Sequence, residues 1–259
     1  MATWASRRKT VFALIFILVI VIPASYIAFR TLYKAPTCSD LKQNGDEFGI
    51  DCGGSCVKLC QSAFLPPRIQ WGGAKLEKIA DGVYNAASYI VNPNITGAAI
   101  NVPYKMSLYD KEGILIVERH GSVTLYPHRN SLAFQPSIKT DLRVPSKATF
   151  EFTSMPVWFK SNDELGGISV IDKKYAEDEN GSSLEVYLEN KTLYDYKDIV
   201  VSAILSDEVG NVIGFSQTNL DKISAKNGRE VAPFTWPLNH NGKVTTIEVL
   251  PIIKPVMSR

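Results

Sequence analysis

The sequence predicts a mainly β chain: one N-terminal transmembrane helix, then a small disulfide-rich module, then two tandem β-sandwiches. Three observations predict it. Val11–Phe29 carries no charge; all four cysteines lie between Cys38 and Cys60; and stretches of alternating polarity downstream recur about one hundred residues apart. A repeat of that length is a whole domain rather than a solenoid unit. Composition agrees, since 14 prolines and 17 glycines with few long helical patterns lean toward β structure.

The 259 residues suit one large domain or two small ones, and 45% hydrophobic with 21% charged residues argues against disorder. A formal net charge of +2 is too small for a nucleic-acid partner.

As a helix, Val11–Phe29 would span about 28 Å, close to a bilayer's hydrocarbon thickness. A soluble core helix of this length would show a polar face. Pro23 is tolerable as a kink in a spanning helix. Arg7, Arg8 and Lys9 precede the run as a cytoplasmic flank should, while Arg30 and Lys34 follow it. The bias is small, but long following domains translocate largely regardless of charge. "IPASYIAFRTLY" offers no good A-x-A cleavage site, and Ala35-Pro36-Thr37 is no lipobox before Cys38. The expectation is an uncleaved signal anchor at 11–29 behind a cytoplasmic tail, 1–10, too short to fold. The C-terminal region would then lie outside the cytoplasmic membrane, single-pass.

Residues 30–60 form the expected extracytoplasmic stalk. Cys38, Cys52, Cys56 and Cys60 are spaced C-x13-C-x3-C-x3-C. Outside the cytoplasm an even set reads as two disulfides with three connectivities, replacing a core the stretch is too short to bury. Zinc is the rival, but the paired C-x-x-C knuckles and a nearby histidine are missing. Asp40, Asn44, Asp46 and Asp51 occupy places one, five, seven and twelve of an EF-hand-like calcium loop, with Gly45 at six. Lys42 at place three and Asp51 for the bidentate Glu depart from it. The favoured alternative is a solvated acidic loop whose side chains cap its own turns. No other cofactor is expected.

On Cys38, Asp40, Asn44, Glu47, Gly49, Asp51, Cys52, Gly53, Gly54 and Cys56, the stretch resembles a short module of bacterial surface proteins, C-x-D-G-x-x-N-x-x-E-x-G-x-D-C-G-G-x-C-x-x-C. Leu41 replaces the usual glycine, and the last spacing is one residue longer. The resemblance implies an extracytoplasmic, often stalk-like place and no catalysis.

Beyond Pro66-Pro67, "VPYKMSLYD" alternates, with Val102, Tyr104, Met106 and Leu108 on one face. Asp110–Gly113 turns it into "ILIVER", a hairpin. "SLEVYLEN" alternates likewise, with Leu184, Val186 and Leu188 inward. Asn92 matches Asn190, Asp110 matches Asp207 and Gly113 matches Gly210, offset by 97 or 98. Phe152 with Trp158 is paired with Phe234 and Trp236 as a further parallel. Two sandwiches are expected at 61–176 and 177–259, with "AEDENGS" as the polar boundary.

On Val186–Asn190, Ile199–Leu205 and Asp207-x-x-Gly210, the second repeat resembles the FxLyD-type bacterial sandwich. The first is similar to the late-embryogenesis-abundant type, both being immunoglobulin-like. The resemblance implies a non-catalytic module of envelope proteins, and sandwich architecture alone does not decide function.

Little in the chain carries chemistry. His120, His128 and His240 read as surface histidines, Ser169 in "GGISVI" lacks the second glycine of a nucleophile elbow, and there is no phosphate loop or H-E-x-x-H helix. Trp158 and Trp236 read as core plugs, and Tyr194 and Tyr196 as core or rim packing ahead of a sugar- or protein-binding edge. Asn94, Asn180 and Asn190 lie in N-x-[ST] sequons. The functional expectation is a non-enzymatic structural or interaction role in the cell envelope, adhesion or scaffolding. Its partners would be the bilayer, through the helix, and an envelope protein or glycan. An accessory subunit of a secretion or pilus machine is the alternative, and an envelope hydrolase a more distant one.

Overall fold

The structure, a computed structural model, describes residues 4–32, 37–161, 167–237 and 242–253. The chain divides into two compact units, Met1–Cys56 and Val57–Arg259.

The first unit opens with α1 (Trp4–Phe16), a π turn at Ile17–Val21 and α2 (Ile22–Leu32). Arg8–Arg30 is one continuous apolar helix of 23 residues, long enough to be a candidate membrane span, and none of it is buried against protein. The π turn has a local cause. Pro23 cannot donate to Val19, and its ring would strike that carbonyl in a regular α-helix. One residue earlier the Ile22 N–H bonds to Ile17, five residues back, and the widened turn absorbs the proline. The rest of the unit, from Thr37, is turns closed by the Gly49–Cys52 bridge.

The second unit is mainly strands. They are β1 (Arg68–Ile69), β2 (Lys75–Ala80), β3 (Val83–Val91), β4 (Ala99–Tyr109), β5 (Leu115–Leu125), β6 (Asn130–Lys139) and β7 (Lys147–Phe152). After these come β8 (Ile168–Asp178), β9 (Gly181–Asn190), β10 (Tyr196–Ser206), β11 (Val212–Ile223), β12 (Gly228–Trp236) and β13 (Thr246–Ile252). In the first sandwich the β2-β3-β6 sheet, extended by β1 on β3, faces β5-β4-β7; in the second, β8-β9-β12 faces β11-β10-β13. Every pairing is antiparallel, and strand for strand the two sandwiches share one connectivity.

The duplication is visible atom by atom. Asn92 and Asn190 are both fully buried where β3 and β9 end. Asn92 Nδ2 donates to the Gly97 and Tyr126 carbonyls, and Asn190 Nδ2 to those of Tyr194 and Ile223, each 97 residues on. Their Oδ1 atoms accept from Asn94 and Thr192 amides. The hairpins match as well: Asp110 accepts from the Ile114 amide and Asp207 from Asn211, both at 2.8 Å. Gly113 (φ 78°) and Gly210 (φ 83°) take the left-handed position each turn requires.

Each sandwich has its own core. Met106, Leu108, Leu125, Ile138 and Trp158 fill the first, and Leu184, Leu188, Val201, Leu205 and Trp236 the second. A third apolar cluster joins them: Ala87 and Leu132 of the first with Ile204 and Phe215 of the second, ringed by Trp71, Tyr89, Phe134 and Leu250. Alternation explains its origin. On β3, Ala86 and Ile90 point into the first core while Ala87 and Tyr89 point out. On β10, Val201, Ala203 and Leu205 point into the second core while Ile204 points out. The outer face of β2-β3-β6 is therefore packed on the outer face of β11-β10-β13, and the four sheets stack as layers.

Three sequence expectations change. Ala176–Ser182 is not a linker but the end of β8, a turn and the start of β9. The second sandwich accordingly begins by Ile168 instead of Glu177. Val57–Cys60, expected in the stalk, belongs with the first sandwich: the Leu59 amide bonds to the carbonyl of Trp158, on whose ring Phe64 stacks at 5.5 Å. Phe152 and Trp158 are not the counterparts of Phe234 and Trp236, because β7 corresponds to β13 while Phe234 and Trp236 lie on β12, the counterpart of β6. The parallel drawn from the sequence joined two unrelated aromatic pairs.

Candidate functional site

The cysteine module is oxidised throughout. Cys38 bonds to Cys56 across 18 residues, Cys52 and Cys60 are disulfide-bonded as well, and no cysteine is free. Of the three connectivities open to the sequence, the structure has the one in which Cys38 is bonded to Cys56. Closing a loop of that length stabilises by about 3 kcal/mol in the chain-entropy account.

The acidic residues of the module hold its turns. Asp51 accepts the Asp40 and Leu41 amides through both carboxylate oxygens, at 2.9 to 3.2 Å. Asp40 accepts from the Lys42 amide and from Asn44 Nδ2; Asp46 accepts from Ser55, and Glu47 caps the Asn44 amide. Asn44 Oδ1 is buried without a hydrogen-bond partner. Among the described residues, the one group of three acidic, Cys or His side chains with donor atoms within 4.8 Å is Cys38, Glu47 and Cys56, whose sulfurs are spent in disulfides. Asp40, Asp46 and Asp51 thus form a capped turn scaffold, and their carboxylates do not converge on one point.

The other residues singled out from the sequence are dispersed. His120 Nε2 lies 3.1 Å from Glu118 on the outer face of the first sandwich, His128 is exposed at the β5–β6 connection, and His240 lies outside the described residues. Ser169 is on β8 beside Glu189, its hydroxyl buried and unpartnered. Trp158 and Trp236 are core plugs, 1% and 3% exposed. Tyr196 is in the second core, while Tyr194 is exposed. Of the sequon asparagines, Asn94 and Asn190 are buried and hydrogen-bonded; Asn180 is exposed in the β8–β9 turn.

What no linear motif announced is the polar edge of the seam. Glu77, opposite Asn85 on the β2–β3 pair, has both carboxylate oxygens buried without a hydrogen bond of good geometry. Burial raises its pKa to about 8; the Phe215 backbone and the Asn85 side chain pull weakly the other way. Tyr89 Oη donates to Glu248 across the seam at 2.7 Å. Burial, and then Glu248, pushes that phenol well above the usual range.

The seam also opens into a cleft of about 190 Å³. Its polar lining is Asn101, Ser122 and Thr124 of the first sandwich with Asp198 and Gln217 of the second. Asn101 (φ 51°) and Asp198 (φ 52°) are equivalent positions of the two repeats, 97 apart, and both take the left-handed conformation near the start of β4 and β10. At the floor, Tyr126 is 2% exposed and its buried hydroxyl has no hydrogen-bond partner. A second cleft, of about 220 Å³, adjoins it, sharing Tyr126 and Ile252 and adding His128 and Arg129.

Comparison with known proteins assigns no relative. No family model and no curated protein matches the chain. The chain is weakly similar to β-glucuronidase 2 of Bacteroides uniformis, at 10% identity and TM-score 0.20 over 68% of this chain. It is similar at the same level to a second B. uniformis β-glucuronidase, at 12% identity, and spans 22% of the length of each. The 7S globulin of Momordica charantia gives TM-score 0.12 at 5% identity, covering 70% of this chain and 81% of that one. Likenesses at these scores carry no argument about fold or function.

Proposed function

We propose that this is a membrane-tethered, extracytoplasmic protein with a non-catalytic structural or interaction role in the cell envelope. Its sandwiches are read as immunoglobulin-like modules, the first of the late-embryogenesis-abundant kind and the second of the FxLyD kind. One observation carries the reading: both disulfides follow, within the chain, directly after the candidate span. Disulfides persist outside the reducing cytoplasm, so Cys38–Cys60 and the sandwiches belong on the oxidising side, and Arg7, Arg8 and Lys9 on the other.

Spheroplasts treated with a membrane-impermeant maleimide test it. The cysteines should react only after reduction, and external protease should reach the sandwiches. Thiols that react without reduction, or sandwiches protected until lysis, would refute the topology. Affinity capture with the full chain should then recover an envelope component, whereas hydrolysis of glycan or peptide by the purified protein would refute the non-catalytic reading.

A further inference from the structure

We infer that the cleft at the seam is a binding site for a neutral sugar ring. The stacking of the repeats creates it: Asn101 and Ser122 belong to one sandwich, Asp198 and Gln217 to the other. Its size suits a small ligand, since 190 Å³ holds roughly six waters.

The lining selects the class. Two amides, two hydroxyls and one carboxylate supply donors and acceptors side by side, as vicinal hydroxyls require. Gln217 is oriented through its Nε2, which donates to Ser202 at 2.9 Å, so its carbonyl oxygen is available to a ligand. Thr124 Oγ1 is positioned by the Asn101 amide at 3.4 Å. Among the described residues no Lys, Arg or His side chain lines the cleft, so an anion is disfavoured. His128 and Arg129 line the adjoining cleft. A cation would leave the amide and hydroxyl donors idle. Val200, Ile252 and the Phe134 edge supply the apolar wall that ring C–H groups need. Left-handed backbone at a non-glycine residue costs about 1 kcal/mol or more, and the two repeats carry it at the positions that meet in this cleft.

The test uses the full chain in a detergent without a sugar headgroup, followed by methyl NMR of Val123, Val200 and Ile252. Glucose and N-acetylglucosamine should shift these signals with a dissociation constant of roughly 1 mM. Asn101→Gly and Asp198→Gly remove the side chains where glycine suits the backbone, so folding is preserved, and each should weaken binding about tenfold. Lys174→Ala, on the second sandwich's outer face, should change nothing. No shift up to about 50 mM sugar, tighter binding of tetramethylammonium or glucuronate, or unchanged binding in both glycine variants would overturn the inference. It adds a ligand class to the interaction reading without depending on topology. Failure of sugar binding leaves the topology standing, and reactive thiols would leave the cleft standing.

Discussion

Single residues in this chain carry opposite electrostatic solutions to burial. Asn190 satisfies two buried carbonyls with one amide and accepts Thr192 in return. Asn190→Asp keeps the shape but turns a carboxylate toward those carbonyls. It should destabilise more than Asn190→Ala, which loses the bonds for about 2 kcal/mol, as read from urea midpoints at pH 8. Glu77 has no such satisfaction. Its folded pKa, about 8, lies above the ordinary carboxylate value. The unfolded chain therefore releases the proton first, and stability falls as pH rises between roughly 4.5 and 8. The loss is on the order of 5 kcal/mol. Glu77→Gln should abolish that slope, matching the native protein near pH 4.5 and exceeding it at pH 8. In the cysteine module, Asp51→Ala should free two amides and speed local proteolysis, an effect of the same sign whether or not calcium has been chelated.

At the scale of elements, the paired faces show how duplicated strands diverged. On the first sandwich's outer β5-β4-β7 face, Lys105 bridges Glu118 and Glu151 at 3.6 and 2.8 Å. The equivalent places on β10, β11 and β13 are Ser202, Phe215 and Leu250, facing the seam. The second pair of faces shows the same change. Ala87 opposite Phe134 at the seam becomes Glu185 opposite Pro233, and Val91 opposite Asn130 becomes Glu189 opposite Arg229, an ion pair at 2.9 Å. Phe215→Ala should therefore cost about 3 to 5 kcal/mol. Glu118→Ala at the matching exposed place should cost under about 1 kcal/mol. Chemical denaturation of the two variants side by side decides this. The alternation that made these strands recognisable also marked the inward faces. The outward apolar residues were less legible, because one half-buried strand face looks sufficient until two sandwiches are stacked.

For the whole molecule, the seam is head-to-tail: one kind of face on the first sandwich meets the other kind on the second. Such an interface does not close on itself. Charges on the two free faces end the stack, as polar caps end repeat arrays. Grafting the seam residues onto both free faces (Glu118→Phe, Glu151→Leu, Glu185→Ala and Pro233→Phe) should produce concentration-dependent oligomers in sedimentation, where the native chain stays discrete. Conversely, Ile204→Lys buries a charge in the seam and should split one cooperative unfolding transition into two.

The chain alone determined the properties that rest on local pattern: the apolar run long enough to span a bilayer, the strands, the Asp-x-x-Gly hairpins and the hundred-residue duplication. Period, turn chemistry and residue count carry these without reference to distant residues. Tertiary structure alone decided that Cys38 pairs with Cys56, that Asp40 and Asp51 turn to backbone amides and Asp46 to the Ser55 hydroxyl, and that β8 belongs to the second sandwich. It alone brought Asn101 and Asp198 to one cleft. Each of these depends on which surfaces meet, through contacts between residues far apart in the chain. Alternation shows that a strand has two faces, but not what covers the second.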